Sequence, residues 1–323
     1  MNRIAIIGAG VTGLSAARAL VAAGFDVTLF DKGRRAGGRM ASRDGAAGSF
    51  DHGVQYLRAT AADAAALGVG PLLPWPAIAP KDGAGGWIAN PTFNHLAQHW
   101  AQGLALHCSH TVTEITRGPR PSGWQLRFAE HDTVLECDKL LITIPTPQAI
   151  PLLTAAGIDC GPLAAVRYAP NWTLMWTPAA ALPDGFTHHA GSGDDPLAWI
   201  AREDSKPRRS GPPRLTVQAS AAWSAAQLEL GADVVAEQLI ALTAERLGIA
   251  TASIAASAHR WRYAFAATTI GVPVVTLADG LLYASDACLG SRVALAVEAG
   301  RQAAVQISEG NTRTGTLVQR TLS

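Results

Sequence analysis

The beginning of the chain restricts the possible folds more than any other segment. Residues 4–7 form a short apolar run rich in isoleucine, which is typical of a buried parallel strand. The run leads directly into the glycine turn GAGVTG, residues 8–13. Residues 14–23 are small or apolar, as in a helix that packs closely on a sheet. Gly24 ends this helix, and residues 27–30 predict a second strand. This order of elements predicts an α/β fold of the Rossmann type.

The three glycines of the turn have the spacing that a bound dinucleotide requires. Gly8 allows the tight turn, Gly10 lets a pyrophosphate approach the backbone, and Gly13 lets the helix lie against the strand. The helix N-terminus offers free amide groups and a positive dipole end to the phosphates. Asp31 closes the second strand 18 residues after Gly13 and can accept hydrogen bonds from the adenosine ribose. Its charge would repel a 2′-phosphate, which argues against NADP as the ligand of this site.

A second glycine turn, DKGRRAGGRM at residues 31–40, helps to decide between NAD and FAD as the cofactor. A simple nicotinamide-dependent dehydrogenase continues here as an ordinary loop. In this chain Gly37 and Gly38 would let the backbone fold back over a larger cofactor. Arg39 adds a planar set of donors that suits a pyrophosphate or the edge of an electron-rich ring. The turn therefore favours FAD over NAD.

Five stretches spread along the chain carry further recognisable patterns. They are DKGRRAGGRMASR (residues 31–43), FDHGVQYL (50–57), WIAREDSKP (199–207), AHRWRYAF (258–265) and ASDACLGSRVALAVEAGRQAA (284–304). Together they resemble the flavin-containing amine oxidase superfamily, and its renalase-like branch in particular. This chain departs from its relatives at three places. Ser285 replaces a glycine, Glu203-Asp204 stands where an asparagine is common, and Asn90-Pro91-Thr92-Phe93 replaces a glycine-rich turn.

The resemblance implies a set of residues around a non-covalently bound FAD. The cofactor-binding residues would be Gly8, Gly10, Val11, Thr12, Gly13, Asp31, Lys32, Gly38, Arg39, Met40, Gln55, Tyr56, Val112, Asp286, Arg292 and Val293. Asp286 could also cap a helix. The substrate-binding residues would be Trp199, His259, Trp261 and Tyr263, with His259 as the candidate for a direct catalytic role.

The remaining pattern predicts a fold in two parts. Residues 111–116, 124–128 and 134–137 predict a three-stranded meander, 140–144 and 281–283 predict buried strands, and a helix begins at about Arg292. A FAD-binding domain with a parallel central sheet would comprise residues 1–60, 94–148 and 278–323. A smaller α+β substrate domain with a mostly antiparallel sheet would comprise residues 61–93 and 149–277, which are rich in proline, glycine and tryptophan.

The strand around residues 259–263 should have two different faces. Strict alternation would place His259, Trp261 and Tyr263 on one face and the arginines Arg260 and Arg262 on the other. Large flat side chains on one face can form the wall of a pocket for a planar substrate.

The resemblance also implies a reaction. Renalase-like proteins oxidise misreduced dihydronicotinamide dinucleotides, which carry the hydride at ring position two or six. Hydride passes to flavin N5, and molecular oxygen reoxidises the flavin, which gives NAD(P)⁺ and hydrogen peroxide. An electron-rich dihydropyridine can lose hydride without a general base, so positioning and a dry pocket would supply most of the rate.

Three other functions remain open at this point. Many amine oxidases use a lysine that holds a water near N5, and Lys81 is the available candidate here. A desaturase-type oxidoreductase would need a long apolar channel, usually with a membrane-contacting patch. A non-catalytic FAD-binding protein is the third alternative, and the departures at Ser285 and Glu203 are compatible with it.

Composition and residue spacing argue against several other classes of protein. The formal net charge of +1 gives no general attraction for nucleic acid or for an anionic membrane. The 4 cysteines are scattered and show neither a disulfide framework nor a zinc pattern, which favours the cytoplasm. Arg18 and the glycines within residues 4–24 argue against a signal peptide. His95 and His99 share a helix face but lack a third ligand, so we expect them to be exposed and no metal to be bound. The oligomeric state cannot be read from these patterns.

Overall fold

The structure, a computed structural model, describes residues 3–68, 70–120 and 123–320, with side chains as far as residue 309. The helices are α1 (Val11–Ala22), α2 (Ala61–Ala66), α3 (Phe93–Ala101), α4 (Thr146–Ala155), α5 (Gly161–Ala164), α6 (Ala221–Ala226), α7 (Ala232–Leu247), α8 (Asp286–Leu289) and α9 (Val293–Arg320), with a 3₁₀ turn at Glu203–Ser205.

The strands are short, with the exceptions of β13 and β17. They are β1 (Arg3–Ile7), β2 (Asp26–Asp31), β3 (Arg43–Gly45), β4 (Gly48–Phe50), β5 (Leu57–Ala59), β6 (Leu72–Pro74), β7 (Gly85–Ala89), β8 (Ala105–Cys108), β9 (Val112–Arg117), β10 (Trp124–Phe128), β11 (Leu135–Cys137), β12 (Lys139–Ile142), β13 (Tyr168–Pro178), β14 (His188–Ala190), β15 (Leu197–Arg202), β16 (Leu215–Ala219), β17 (Ser253–Ala266), β18 (Val275–Ala278) and β19 (Leu281–Tyr283).

Internal contacts divide the chain into two compact units. Unit 1 comprises Met1–Gly38, Trp100–Arg167 and Ala266–Ser323, and unit 2 comprises Arg39–His99 and Tyr168–Phe265. Residues 39–60, which the sequence groups with the nucleotide-binding part, fall in unit 2. One reason is a hydrogen bond between this segment and β16 of unit 2: the Gln218 side-chain amide donates to the Gly53 carbonyl over 2.8 Å.

The centre of unit 1 is a six-stranded sheet in the order β18-β19-β12-β1-β2-β8. The pairings from β19 to β8 are all parallel, and β18 adds an antiparallel edge. Continuous apolar runs such as that of β1 suit a strand that is covered on both faces. Helices α1 and α9 pack closely: the Ser15 hydroxyl donates to the Val297 carbonyl over 2.8 Å. A Cβ on Gly300 would lie only 2.4 Å from the Thr12 carbonyl oxygen, so this contact requires glycine.

The predicted meander is confirmed. Strands β9, β10 and β11 form a separate three-stranded sheet with antiparallel pairings. Its register shifts at residues 127–128, where β10 pairs with the beginning of β9. Unit 1 thus combines the parallel sheet and the meander that the sequence predicts.

Unit 2 contains a five-stranded sheet in the order β14-β15-β16-β13-β17. The pairings of β14, β15, β16 and β13 are antiparallel, which confirms the predicted sheet type. Its core is formed by large side chains, among them Trp172, Trp176 and Leu239 of α7. A three-stranded sheet β5-β7-β6 and the hairpin β3-β4 complete the unit.

Within the described ranges, which omit positions 69 and 121–122, every helix is too short or too polar to span a lipid bilayer.

Candidate functional site

Residues 8–13, here called the glycine cradle, connect β1 to α1. Gly8 has a φ of +108°, which favours glycine, and a Cβ on Gly13 would lie 2.0 Å from the Gly8 carbonyl oxygen. These two glycines therefore allow the turn and the close approach of α1 to β1.

Gly10 differs from its neighbours because it faces open space. It has an extended backbone, with φ of −75°, and precedes α1 without a side-chain cap. A Cβ added to it would meet no heavy atom within 4 Å. The first turn of α1 has no acidic residue, and Val11 and Thr12 belong to that turn. An uncapped helix N-terminus with free space beside it fits a phosphate group.

Asp31 lies at the end of β2, as predicted, and its carboxylate is engaged by the backbone. Its Oδ2 accepts a hydrogen bond from the Ala9 amide over 2.7 Å, and its Oδ1 accepts one from the Gly33 amide over 2.7 Å. Each carboxylate oxygen has a further lone pair, so a ribose hydroxyl can still be accepted. Asp31 therefore also connects the glycine cradle to the second glycine turn. Lys32, the next residue, is exposed.

The second glycine turn folds back onto the cradle. The Gly37 amide donates to the Ala9 carbonyl over 2.8 Å, and Gly37 forms an isolated parallel bridge with Gly10. Gly38 has a φ of +55°, and a Cβ on it would lie 3.5 Å from the Gly10 Cα. The two glycine-rich segments are thus adjacent in unit 1.

The later predicted residues of unit 1 lie at the ends of strands and helices. Val112 is the first, buried residue of β9, and α9 begins at Val293, one residue after the exposed Arg292. The cap of α8 is Ser285, whose hydroxyl accepts the Ala287 amide over 3.0 Å. Asp286 accepts the Ser291 hydroxyl over 2.6 Å instead. Ser285 therefore caps α8, and the Asp286 carboxylate holds the hydroxyl of Ser291, two residues before α9.

In unit 2, Arg39 and Met40 are both held by internal contacts. The Arg39 guanidinium donates to the Ala264 carbonyl over 3.0 Å and lies 5.9 Å from the centre of the Tyr168 ring. Met40 is buried.

Four charged residues of unit 2 whose side chains are buried form what we call the ion cluster: Asp51, Glu203, Lys206 and Arg209. The Lys206 ammonium lies 2.9 Å from Glu203 and 3.3 Å from Asp51, and Arg209 lies 2.6 Å from both carboxylates. Burial alone would raise the pKa of Asp51, but the charges of Lys206 and Arg209 outweigh it and hold that pKa below its ordinary value. The cluster contains two cations and two anions, so its charges balance.

Gln55 is attached to the ion cluster through both ends of its amide. Its Oε1 accepts from the Lys206 ammonium over 3.5 Å, and its Nε2 donates to the Asp51 carbonyl. Lys206 therefore directs its three N–H groups at Asp51, Glu203 and Gln55. No sequence pattern singles out Lys206. Lys81, the candidate lysine of the amine oxidase alternative, is exposed.

The predicted alternation on β17 is confirmed. His259, Trp261 and Tyr263 are half-buried, whereas Arg260 and Arg262 are exposed and pair with Glu229.

His259 and Trp261 meet His52, a residue that the sequence did not single out. Ring centres are 5.0 Å apart for His52 and His259, 5.5 Å for His52 and Trp261, and 4.4 Å for His259 and Trp261. Burial, together with His259 and Arg43, lowers the pKa of His52 to about 3, and burial lowers that of His259. Both imidazoles are therefore suited to be neutral at neutral pH.

The four predicted substrate residues do not all pack against one another; their rings belong to separate groups of contacts. Tyr263 packs edge-on against Tyr168 at 6.0 Å between ring centres. Trp199 lies on β15, which β16 and β13 separate from β17 in the sheet. Its ring lies 5.2 Å from that of Tyr56 and 5.0 Å from that of His188. The structure thus groups Trp199 with Tyr56 and not with His259 or Trp261.

His95 and His99 are exposed on α3, as expected. Across the part of the chain that the structure describes, no group of three His, Cys, Asp or Glu side chains is arranged to hold a metal ion.

The parallel sheet, the glycine cradle and the antiparallel second unit define a mixed α/β fold with a Rossmann-like first unit. Residues 6–67 match the family model described as NAD(P)-binding Rossmann-like domain. A stretch of 50 residues, 16% of this chain, is 50% identical to a 4,4'-diapophytoene desaturase (4,4'-diaponeurosporene-forming) of Staphylococcus haemolyticus. That stretch spans only 10% of the desaturase.

Two solved structures are similar over nearly the whole chain. A candidate protoporphyrinogen oxidase from Exiguobacterium sp. 255-15 has a TM-score of 0.74 at 15% identity, covering 95% of this chain and 98% of that one. Putrescine oxidase bound to putrescine has a TM-score of 0.67 at 12% identity, covering 95% and 99%. At such identities the similarity concerns the fold, which this chain shares with these oxidases.

Proposed function

We propose that the protein is an FAD-dependent oxidoreductase of renalase type, which oxidises misreduced dihydronicotinamide dinucleotides with hydride at ring position two or six. The observation that carries the proposal is the open face of Gly10 beside the uncapped N-terminus of α1. Bound flavin would supply the hydride acceptor, N5, and would pass the electrons to molecular oxygen to give hydrogen peroxide. FAD is the cofactor that the two adjacent glycine turns fit.

In this proposal unit 1 binds the dinucleotide portion of the cofactor. The first-turn amides of α1 receive the pyrophosphate, where the helix dipole favours negative charge. The Asp31 carboxylate accepts the ribose hydroxyls while it holds the Ala9 and Gly33 amides. Gly38, Val112 and Asp286 supply further contacts.

Unit 2 supplies the substrate surface in this proposal, and the lysines of the chain favour a hydride donor over an amine. Lys206 gives all three N–H groups to protein acceptors, Lys139 donates to the Ile307 carbonyl over 2.8 Å, and Lys32 and Lys81 are exposed. None of the 4 lysines is thus in the position of an ammonium that holds a water inside a pocket. A dihydropyridine needs no such group, because its hydride leaves without prior removal of a proton.

The neutral histidines support the same conclusion. Lowered pKa values keep the His52 and His259 imidazoles uncharged on that face of β17. A neutral imidazole can orient a ring without opposing the positive charge that develops on a nicotinamide as hydride leaves.

Anaerobic mixing of the purified, oxidised protein with defined donors tests the proposal. The protein should be yellow, and dihydronicotinamide isomers with hydride at position two or six should bleach the flavin absorbance. The position-four isomer and putrescine should leave it unchanged over the same time. A colourless protein that takes up no FAD contradicts the cofactor assignment. Bleaching by putrescine alone assigns the protein to amine oxidation, and failure of every donor favours a non-catalytic FAD-binding protein.

A further inference from the structure

Four rings of unit 2 pack into one cluster, here called the Trp75 group: Tyr56, Trp75, His188 and Trp199. Trp75 is at its buried base, with ring centres 6.5 Å from Tyr56, 6.0 Å from His188 and 6.4 Å from Trp199. Tyr56, Trp199 and His188 are half-buried and form a row in which each ring lies within 5.2 Å of the next. A row of this kind offers flat apolar surface to another ring.

Two hydrogen-bond donors in this group have no acceptor. The indole N–H groups of Trp75 and Trp199 are both buried and unpaired. Trp75 is only 2% exposed. Leaving a buried donor unpaired costs roughly 1–3 kcal/mol, so two in one cluster call for an explanation.

Other tryptophans of the chain show that this fold usually provides a hydrogen-bond acceptor for an indole N–H. Within the described residues, five indole N–H groups donate to a carbonyl or hydroxyl oxygen. The pairs are Trp87 with Ala59, Trp124 with Asp279, Trp172 with Gln227, Trp176 with Ser253, and Trp261 with His52. The unpaired donors are thus confined to the Trp75 group among these seven indoles.

We propose that the Trp75 group is the part of the substrate site that recognises a planar ring carrying a carbonyl oxygen, which accepts the hydrogen bond of Trp199 or Trp75. This inference rests on the proposed function and assigns the residues that recognise the ring of its substrate. An aromatic amide or ketone satisfies both features of the site, the flat surface and the unpaired donors. An alkylammonium group brings only further donors and leaves the indole N–H groups unpaired.

Charge within the group agrees with a neutral ligand. The Lys206 ammonium lies 5.6 Å from the centre of the Trp75 ring, but Asp51 and Glu203 balance its charge. Burial and the neighbouring His189 lower the pKa of His188. Both indole nitrogens are shielded from solvent, so a ligand must displace one of the half-buried rings beside Trp199, Tyr56 or His188, to reach them.

A comparison of small pyridines tests the inference directly on the purified, flavin-loaded protein. Binding of nicotinamide, acetylpyridine, pyridine and aminomethylpyridine is measured by ligand-observed NMR titration. Nicotinamide and acetylpyridine should bind about 3- to 10-fold more tightly than pyridine, the range expected for one added hydrogen bond. Aminomethylpyridine should show no such gain. Equal affinity of pyridine and nicotinamide would overturn the inference.

Substitution of one indole locates the effect. Trp199→Phe keeps an aromatic ring and removes the N–H group, so the preference for nicotinamide over pyridine should fall toward unity. Trp75→Phe is the second variant, in case the ligand bonds to the deeper donor. Trp87→Phe is the matched control, because its indole N–H already donates to Ala59. A preference that survives in both site variants would contradict the inference.

The result of the pyridine-binding comparison is independent of the anaerobic bleaching assay. Bleaching by putrescine alone would refute the proposed reaction, whatever ring the Trp75 group binds. Bleaching by the dihydronicotinamide isomers with no carbonyl preference would keep the reaction and refute the role of the indoles.

Discussion

Lys206 is 1% exposed and lies between two carboxylates, so its removal leaves a charge imbalance inside unit 2. Lys206→Met leaves Asp51 and Glu203 with Arg209 as their remaining cationic partner. Breaking a buried ion pair in this way typically costs 3–5 kcal/mol, and we expect a loss of about that size in the free energy of unfolding. Urea unfolding followed by tryptophan fluorescence measures it.

Two further variants show whether charge is the cause. Lys81→Met changes an exposed lysine and should alter the free energy of unfolding by less than about 0.5 kcal/mol. Adding Glu203→Gln to Lys206→Met restores neutrality with Asp51 and Arg209, so part of the lost stability should return. No recovery in the double variant would mean that packing, and not charge balance, accounts for the loss.

His52 should make stability depend on pH. Its folded pKa is about 3, against 6.5 for the free side chain, because burial disfavours the charged form. Between these values the unfolded chain binds a proton that the folded protein does not, so stability is lost as pH falls. From pH 7.5 to pH 5.0 the contribution of His52 should be a loss of about 2 kcal/mol.

The His52 contribution is measured as a difference between two proteins. Urea unfolding gives the free energy of unfolding of the wild type and of His52→Gln at both pH values. The difference between the two proteins cancels the contributions of all other titrating groups. The wild type should lose more stability than the variant on acidification. Equal losses would mean that His52 is protonated in the folded protein.

His259→Ala should separate cofactor binding from the reaction. His259 lies on β17 beside His52 and Trp261, and the glycine cradle belongs to unit 1. We therefore expect unchanged FAD content and flavin reduction slowed about tenfold or more, because misorientation of a substrate affects the rate strongly. Arg262→Ala on the opposite, exposed face is the control. Unchanged anaerobic reduction kinetics in His259→Ala would exclude a role for this residue.

At the scale of elements, two glycines of the β1–α1 connection should respond differently to the same substitution. A Cβ at Gly13 would lie 2.0 Å from the Gly8 carbonyl oxygen, so Gly13→Ala should destabilise the apoprotein. A Cβ at Gly10 meets no heavy atom within 4 Å and its φ of −75° suits alanine. Gly10→Ala should therefore leave apoprotein stability nearly unchanged and weaken FAD retention, because the methyl group occupies the space proposed for the pyrophosphate.

Thermal unfolding of the apoprotein and the flavin-to-protein absorbance ratio after desalting measure the two effects. The variants act as controls for each other, since both add one methyl group to the same turn. Normal FAD retention in Gly10→Ala would contradict the proposed position of the phosphates.

The elements that the sequence predicts correctly are those whose pattern depends on burial. β1, β12 and β19 are continuous apolar runs, and they form the parallel sheet between covering helices. β8 is missed because its residues alternate between exposed and half-buried, as befits the outer position it has in the sheet order. The three-residue strands β5 and β6 are too short for any period to be visible.

The candidate site is predictable only where its parts are local in the chain. The glycine cradle and Asp31 lie within one strand–helix–strand unit, so their spacing is informative. The ion cluster joins Asp51 to Lys206, 155 positions apart, and no local pattern reports that contact. Trp199 and Trp261 look equivalent in the sequence, yet the sheet order separates their strands. The renalase-like assignment remains a prediction, and the fold is confirmed.

At the scale of the whole molecule, the path of the chain couples the two units. The chain passes from one unit to the other four times, after Gly38, His99, Arg167 and Phe265. Both segments of unit 2 are therefore held at each end by unit 1. If unit 1 unfolds, residues 39–99 and 168–265 lose these fixed ends and become parts of a long flexible chain, which raises the entropic cost of keeping unit 2 folded.

This connectivity predicts one cooperative unfolding transition. Tryptophan fluorescence reports mainly on unit 2, which contains seven of the 9 tryptophans, whereas release of FAD from the glycine cradle would report on unit 1. In urea the two signals should change with the same midpoint, and excess FAD should move both midpoints upward together, because a ligand that binds only the folded state stabilises everything coupled to it. If FAD shifts the flavin signal and leaves the tryptophan midpoint in place, the units unfold independently despite their four connections.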